Sequence, residues 1–92
     1  MNRVAAIEQA LQIALTPTTL TVEDDSPQHR GHTGHAGKGH FHIYIVSEYF
    51  NHQPLRERHR LVYAALKDLM ETEIHAVQIV AKTPAELLKE AP

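Results

Sequence analysis

The sequence predicts one small α+β domain with the order α-β-β-α-β-α, in which a three-stranded sheet carries its helices on one face. Three observations lead there. The chain has 92 residues, the size of a single domain. Its apolar residues change from helical to alternating periodicity and back without any linker or internal repeat. Its composition is that of a folded globular protein, 42% hydrophobic and 22% charged, with five prolines and four glycines. Residues 1–92 therefore form one unit.

Val4, Ile7, Leu11 and Ala14/Leu15 recur at three- and four-residue spacing and predict a first helix ending before Thr16-Pro17. Thr18 to Val22 is β-branched and alternating, a short strand. Residues 23–39 are polar, contain all the glycines, and predict a long, mobile histidine- and glycine-rich loop. Phe41 to Val46 forms a second strand, with Phe41, Ile43 and Ile45 on one face and His42, Tyr44 and Val46 on the other. After a turn at Ser47 to Phe50, Pro54 opens a long helix running to about Met70, with Leu55, Val62, Ala65, Leu66 and Leu69 on its apolar face. A third strand follows from about Ala76 to Ala81. Thr83-Pro84-Ala85-Glu86 then has the form of a capping box and opens a short last helix. Two of the strands are expected to be antiparallel.

The chain contains no cysteine, which excludes disulfides, Cys-ligated zinc, a thiol nucleophile and an iron–sulfur cluster held by its own thiolates. Nine Lys and Arg against eleven Asp and Glu give a net charge of −2, so nucleic-acid binding would need a local basic patch. No apolar run is long enough to cross a bilayer, and the N-terminus does not resemble a signal peptide. The expected location is cytoplasmic, with no membrane partner.

Histidine is the anomaly: there are eight, and His29, His32, His35, His40 and His42 lie close together. Imidazole suits zinc, copper, iron and nickel, yet the three-residue spacing on a coil matches no standard zinc motif. A solvated loop with tolerated histidines is the plain alternative. His75 stands alone at the mouth of the third strand, where a hydrogen-bonded structural histidine is the commoner case. Two imidazoles leave a metal under-coordinated, so a site built from a loop histidine and His75 invites a partner to complete it. Arg56, Arg60 and Lys67 share a stripe of the long helix suited to phosphates or an acidic protein face, or simply to water. Arg58 and His59 border the apolar face and are expected to pair locally, with Glu48 or the Asp24/Asp25 turn. Gly31-His32-Thr33-Gly34 and Gly34-His35-Ala36-Gly37 match the GxxG loop of nucleotide-clamping domains, but here they join strands instead of helices. No nucleophile stands with a recognisable base and orienting acid, so no enzyme is expected.

Taken in order, Glu23-Asp24-Asp25-Ser26, His29-x-Gly31-His32, Gly39-His40-Phe41, Ile45-Val46-Ser47 with Phe50, Arg58-His59-Arg60-Leu61-Val62-Tyr63, Ile74-His75-Ala76 and Ala81-Lys82-Thr83-Pro84 resemble the BolA family, in its histidine-loop subtype. The resemblance covers nearly the whole chain. It implies a class II KH-like fold with a helix-turn-helix-like element. It also implies a monothiol glutaredoxin partner, in a heterodimer that shares a [2Fe–2S] cluster. The glutaredoxin would supply its cysteine and a bound glutathione. This chain would supply His75 and a loop histidine, matched to His29, with His32 as the additional candidate. No cluster is expected on the isolated chain. Imidazole in place of thiolate would raise the cluster potential, as in Rieske centres.

The expected role is cluster assembly, transfer or iron regulation. The competing role is a DNA-binding transcriptional regulator using Arg56, Arg60 and Lys67, and a third is a histidine buffer for zinc or nickel. Weak self-association is a further expectation. The sequence departs from the family at Asn51-His52, where the family usually carries a glycine after the phenylalanine, and at Val77-Gln78, which leaves the histidine intact.

Overall fold

The computed structural model describes residues 2–26 and 37–90. Helix α1 (Arg3–Leu15) is capped by the Asn2 side chain, which accepts the Ala5 N–H at 3.2 Å. It ends as expected at Thr16, whose N–H makes the last helical bond to the Gln12 carbonyl at 3.1 Å and whose left-handed φ of 36° turns the following chain out of the helix. Strands β1 (Thr19–Asp24) and β2 (Gly39–Val46) pair antiparallel, from Thr19 opposite Val46 to Asp24 opposite Phe41. Both strands reach farther than local pattern suggests. Glu23 and Asp24 are ladder residues opposite β2, and Gly39 and the adjoining His40 are ladder residues opposite the third strand, because cross-strand hydrogen bonds hold polar residues that no apolar alternation marks. Residues 27–36, and with them the expected mobility of that segment, lie outside the described residues.

A short 3-10 turn at Glu48–Phe50 leads to helix α2 (Leu55–Ala65), for which Pro54 is the cap residue and not the first helical one. The expected single helix to Met70 is two. It breaks at Leu66, with φ −97° and ψ 9°, and resumes as α3 (Lys67–Thr72). No proline or glycine marks the site. The Leu66 N–H is shared between the Val62 and Tyr63 carbonyls, at 3.1 and 3.2 Å, and its side chain is fully buried. The bend leaves Leu69 and Met70 packed on the same core.

Strand β3 (Ile74–Lys82) runs parallel to β2, so the sheet order is β1-β2-β3 and the α2–α3 pair is the crossover that parallel strands require. Helix α4 (Pro84–Glu90) closes the fold. Its capping box is formed: the Thr83 N–H donates to Glu86 Oε1 at 3.0 Å, and the Glu86 N–H donates to Thr83 Oγ1 at 3.1 Å.

The core lies between the helices and one sheet face. Ile7 and Leu11 from α1, Ile43 and Ile45 from β2, Val62 and Leu66 from the crossover, and Phe50 are all inaccessible to solvent. Burying each such side chain contributes about 1.5–3 kcal/mol. Along β2, His42 and Tyr44 are half-exposed as alternation predicts, whereas Val46 at the strand end is buried. Alternation assigns a face, and the end of that face is covered here.

Arg58 is buried and pairs elsewhere than expected. Its guanidinium donates to Glu86 Oε1 and Oε2 at 2.8 and 3.0 Å, to the Ala81 carbonyl at 3.1 Å and to the Gln53 carbonyl at 2.8 Å. Helix α2, the end of β3 and the start of α4 are thus tied through one side chain, which Glu48 and the Asp24/Asp25 turn do not reach. Arg58 holds the Glu86 carboxyl down at about 2.

Candidate functional site

The site is assembled at one end of the sheet. There β1 runs into Asp24, whose carboxylate accepts the Ser26 N–H at 2.9 Å. This turn aims the Ser26 hydroxyl at β2, where it accepts the His40 N–H at 3.1 Å. On the other side of the same residue, the Asp25 N–H donates to the His40 carbonyl at 2.7 Å. Both backbone groups of His40 are therefore engaged by the Asp24-Asp25-Ser26 turn. The hydrogen bonds from Ser26 lower the Asp24 pKa.

Gly39 fits this arrangement because there is no room for more. A Cβ on it would meet Ser26 Oγ at 2.8 Å and the Phe41 ring at 2.9 Å. Its N–H donates to the Glu73 carbonyl at 3.0 Å, joining the start of β2 to the residue before β3. Glu73 is fixed in turn by Arg3, whose Nε lies 2.8 Å from Glu73 Oε1 and lowers the carboxyl pKa.

The parallel ladder then skips a residue. Gly39 stands opposite Ile74 and His40 opposite Ala76, so His75 is the bulged residue with no counterpart on β2. Bulges re-aim a side chain, and this one leaves His75 exposed at the strand mouth. The His40 and His75 rings stack, with centroids 5.1 Å apart and planes inclined by 26°. A small cleft of about 70 Å³ opens beside them, lined by Asp25, His40, Phe41, Ala76, Val77 and Gln78.

Of the residues singled out from sequence, His75 is thus placed at an exposed, re-aimed position, while His29 and His32 lie outside the described residues. Among the described residues no three His, Cys, Asp or Glu side chains converge to hold a metal ion. The described donors amount to two imidazoles, which fit a metal centre only if other ligands complete it. In the sequence His40 is one of several clustered histidines, and nothing along the chain sets it apart. The bulge that sets it against His75 has no local signature.

Arg56, Arg60 and Lys67 belong to the crossover helices. The Arg56 and Arg60 side chains are 84% and 72% exposed, but Glu57 Oε2 stands between them at 4.0 and 3.5 Å. Lys67 follows the bend at Leu66 and so begins a different helix. The stripe is a surface of mixed sign, interrupted by the bend.

Comparison with known proteins gives a consistent result. The family profile described as BolA-like protein matches residues 11–86. Protein BOLA1, chloroplastic, of Arabidopsis thaliana is 44% identical over 89 residues, covering 92% of this chain and 56% of that protein. SufE-like protein 1, chloroplastic/mitochondrial, of the same plant is 44% identical over 92 residues, 94% of this chain and 25% of that protein. The chain therefore spans about half or less of the length of these relatives. The DNA-binding transcriptional regulator BolA of Escherichia coli strain K12 is 32% identical over 80 residues, 87% of this chain and 74% of that protein. Among solved structures, the BolA domain of SufE1 from Arabidopsis thaliana superposes with a TM-score of 0.80 at 45% identity, covering 94% of this chain and 96% of that one.

Proposed function

The chain belongs to the BolA-like protein family, and from that premise we propose that it is a non-catalytic partner of a monothiol glutaredoxin, with which it shares a [2Fe–2S] cluster as cargo for assembly, transfer or iron regulation. The observation that carries this reading is His75, a bulged, exposed histidine with a second imidazole stacked beside it and no third donor among the described residues. Such a donor set is incomplete by itself. It suits a centre whose remaining ligands come from another molecule, here thiolates of the glutaredoxin and its glutathione. His75 is one proposed ligand, and His29, or else His32, is the other. Imidazole ligation removes negative charge from the iron it binds and raises the cluster potential. The chain contributes ligands and a docking frame, with no bond of a substrate made or broken.

The test is a titration of this protein into a monothiol glutaredoxin carrying its cluster under anaerobic conditions, followed by visible circular dichroism. A saturable change at equal stoichiometry, lost in His75→Ala, supports the proposal, and His29→Ala against His32→Ala assigns the loop ligand. An unchanged spectrum at every ratio refutes it.

A second reading, DNA binding through Arg56, Arg60 and Lys67, draws on the name of the Escherichia coli relative and on the exposure of those two arginines. Glu57 between them and the net charge of −2 weigh against it. Affinity that falls steeply with salt, disappears when the three cations are neutralised and ignores His75→Ala would establish it. Cytoplasmic residence is also a proposal. Among the described residues no helix is long and apolar enough to cross a membrane, and the Arabidopsis relatives are named as organellar.

A further inference from the structure

We infer that His40 is a positioning residue for His75, its ring face holding the His75 imidazole in the orientation from which it ligates; this rests on the cluster-sharing function proposed above. The bulge removes the residue that would otherwise oppose His75 across the ladder, so regular strand pairing does not fix that side chain. The His40 ring stacks on it, with centroids 5.1 Å apart and planes inclined by 26°. His40 is suited to the task because its own backbone is held twice, by Ser26 Oγ on its N–H and by the Asp25 N–H on its carbonyl. The turn that does this is itself locked by Asp24, and Gly39 leaves no slack between Ser26 and Phe41. Order therefore passes from the Asp24 turn through His40 to the ring of His75. Metal-ligating histidines are commonly oriented by a partner hydrogen-bonded to the other ring nitrogen, whose loss weakens metal binding by about 10–100-fold; a stacked ring holds the orientation less firmly, so the lower end of that range is expected. Here the neighbour acts through its face, so a ring without nitrogens should serve nearly as well.

The test compares wild type, His75→Ala, His40→Ala and His40→Phe in two settings. In the isolated chain, NMR of labelled histidine reads the ring-proton shifts and side-chain rotamer of His75. Wild type and His40→Phe should show one rotamer with ring-current shifts, and His40→Ala an averaged one. An unchanged His75 in His40→Ala overturns the inference whatever the cluster does.

In the complex with cluster-loaded glutaredoxin, dichroism titration gives affinity, and pulsed EPR of the reduced cluster gives the nitrogen hyperfine coupling of His75. His40→Ala should bind about tenfold more weakly, with the His75 coupling retained but broadened, and His40→Phe should remain within about twofold of wild type. A His40→Phe variant that is folded yet as weak as His40→Ala overturns positioning, because the nitrogens of His40 would then be what matters. If His75→Ala abolishes the signal while His40→Ala behaves as wild type, the role of His40 alone is refuted. If wild type and His75→Ala give the same spectra, the cluster reading falls and takes this inference with it.

Discussion

Replacing Arg58 by methionine probes the joint between the crossover helix and the C-terminal helix. Methionine keeps most of the apolar stem, so packing changes little, and what is removed is the fork of donors. Two backbone carbonyls lose their partner: Ala81, at 3.1 Å in a buried setting, and Gln53, at 2.8 Å in a partly buried one. Hydrogen bonds from charged groups contribute about 1.5–3 kcal/mol each, and discounting the more accessible one leaves a loss of about 3 kcal/mol. Glu86 adds little, since its side chain is 43% exposed and regains water. For a domain of this size that loss corresponds to a melting temperature lower by about 15 °C. The assay is urea unfolding followed by far-ultraviolet dichroism, with the slope m checked for constancy. Arg58→Lys should recover only part of the loss, because an ammonium lacks the planar fork. A loss below about 1 kcal/mol for Arg58→Met would refute the argument that this side chain holds the two elements together.

The same joint gives a pH signature. The Glu86 carboxyl is lowered from 4.5 to about 2 in the folded state, so its contribution is complete above pH about 4.5 and is lost as pH falls toward about 2; urea midpoints of Glu86→Gln should start lower than those of wild type at neutral pH and converge with them in that window. His52 holds a left-handed φ of 65°, which costs an L-residue about 1–2 kcal/mol, and His52→Gly should raise unfolding stability by about 0.5 kcal/mol after the added freedom of the unfolded chain is counted; a fall in stability would contradict this. Gly39→Ala pushes a methyl into Ser26 and Phe41 and should cost about 1–3 kcal/mol, with a shift of the His75 ring resonances as its second readout. Ser47 is fully buried, donates to the Leu15 carbonyl at 2.8 Å and accepts the Tyr49 N–H at 3.0 Å; Ser47→Ala should cost about 1–3 kcal/mol in the same unfolding assay.

Features encoded within a few residues were legible in the sequence. The reciprocal bonds of Thr83 and Glu86 and the end of α1 at Thr16 follow from local spacing and from proline, and both are present. The departure at Asn51-His52 has a physical meaning as well: His52 occupies a backbone conformation that favours glycine. Features set by distant pairing were not legible. Arg58 finds its partner on a helix that begins after β3. The break at Leu66 arises from packing on the core without a glycine or proline to announce it. The contact of His40 with His75 depends on a single skipped rung between strands joined by a long crossover, and no pattern along either strand encodes that.

That crossover also dictates when the histidine pair comes into being. The β1–β2 pairing can form from neighbouring chain segments, but β3 reaches β2 only after α2 and α3 have been laid across the sheet. Closing so long a loop carries an entropic cost that only the docked helices offset. The two imidazoles therefore meet only where β3 has paired with β2, and a chain without that pairing does not bring them together. A molecule that touches both rings would thereby distinguish a chain whose third strand has docked from one whose third strand has not. Fraying of the first residues of β3 would reverse this, parting the pair while the hairpin beside it stays intact.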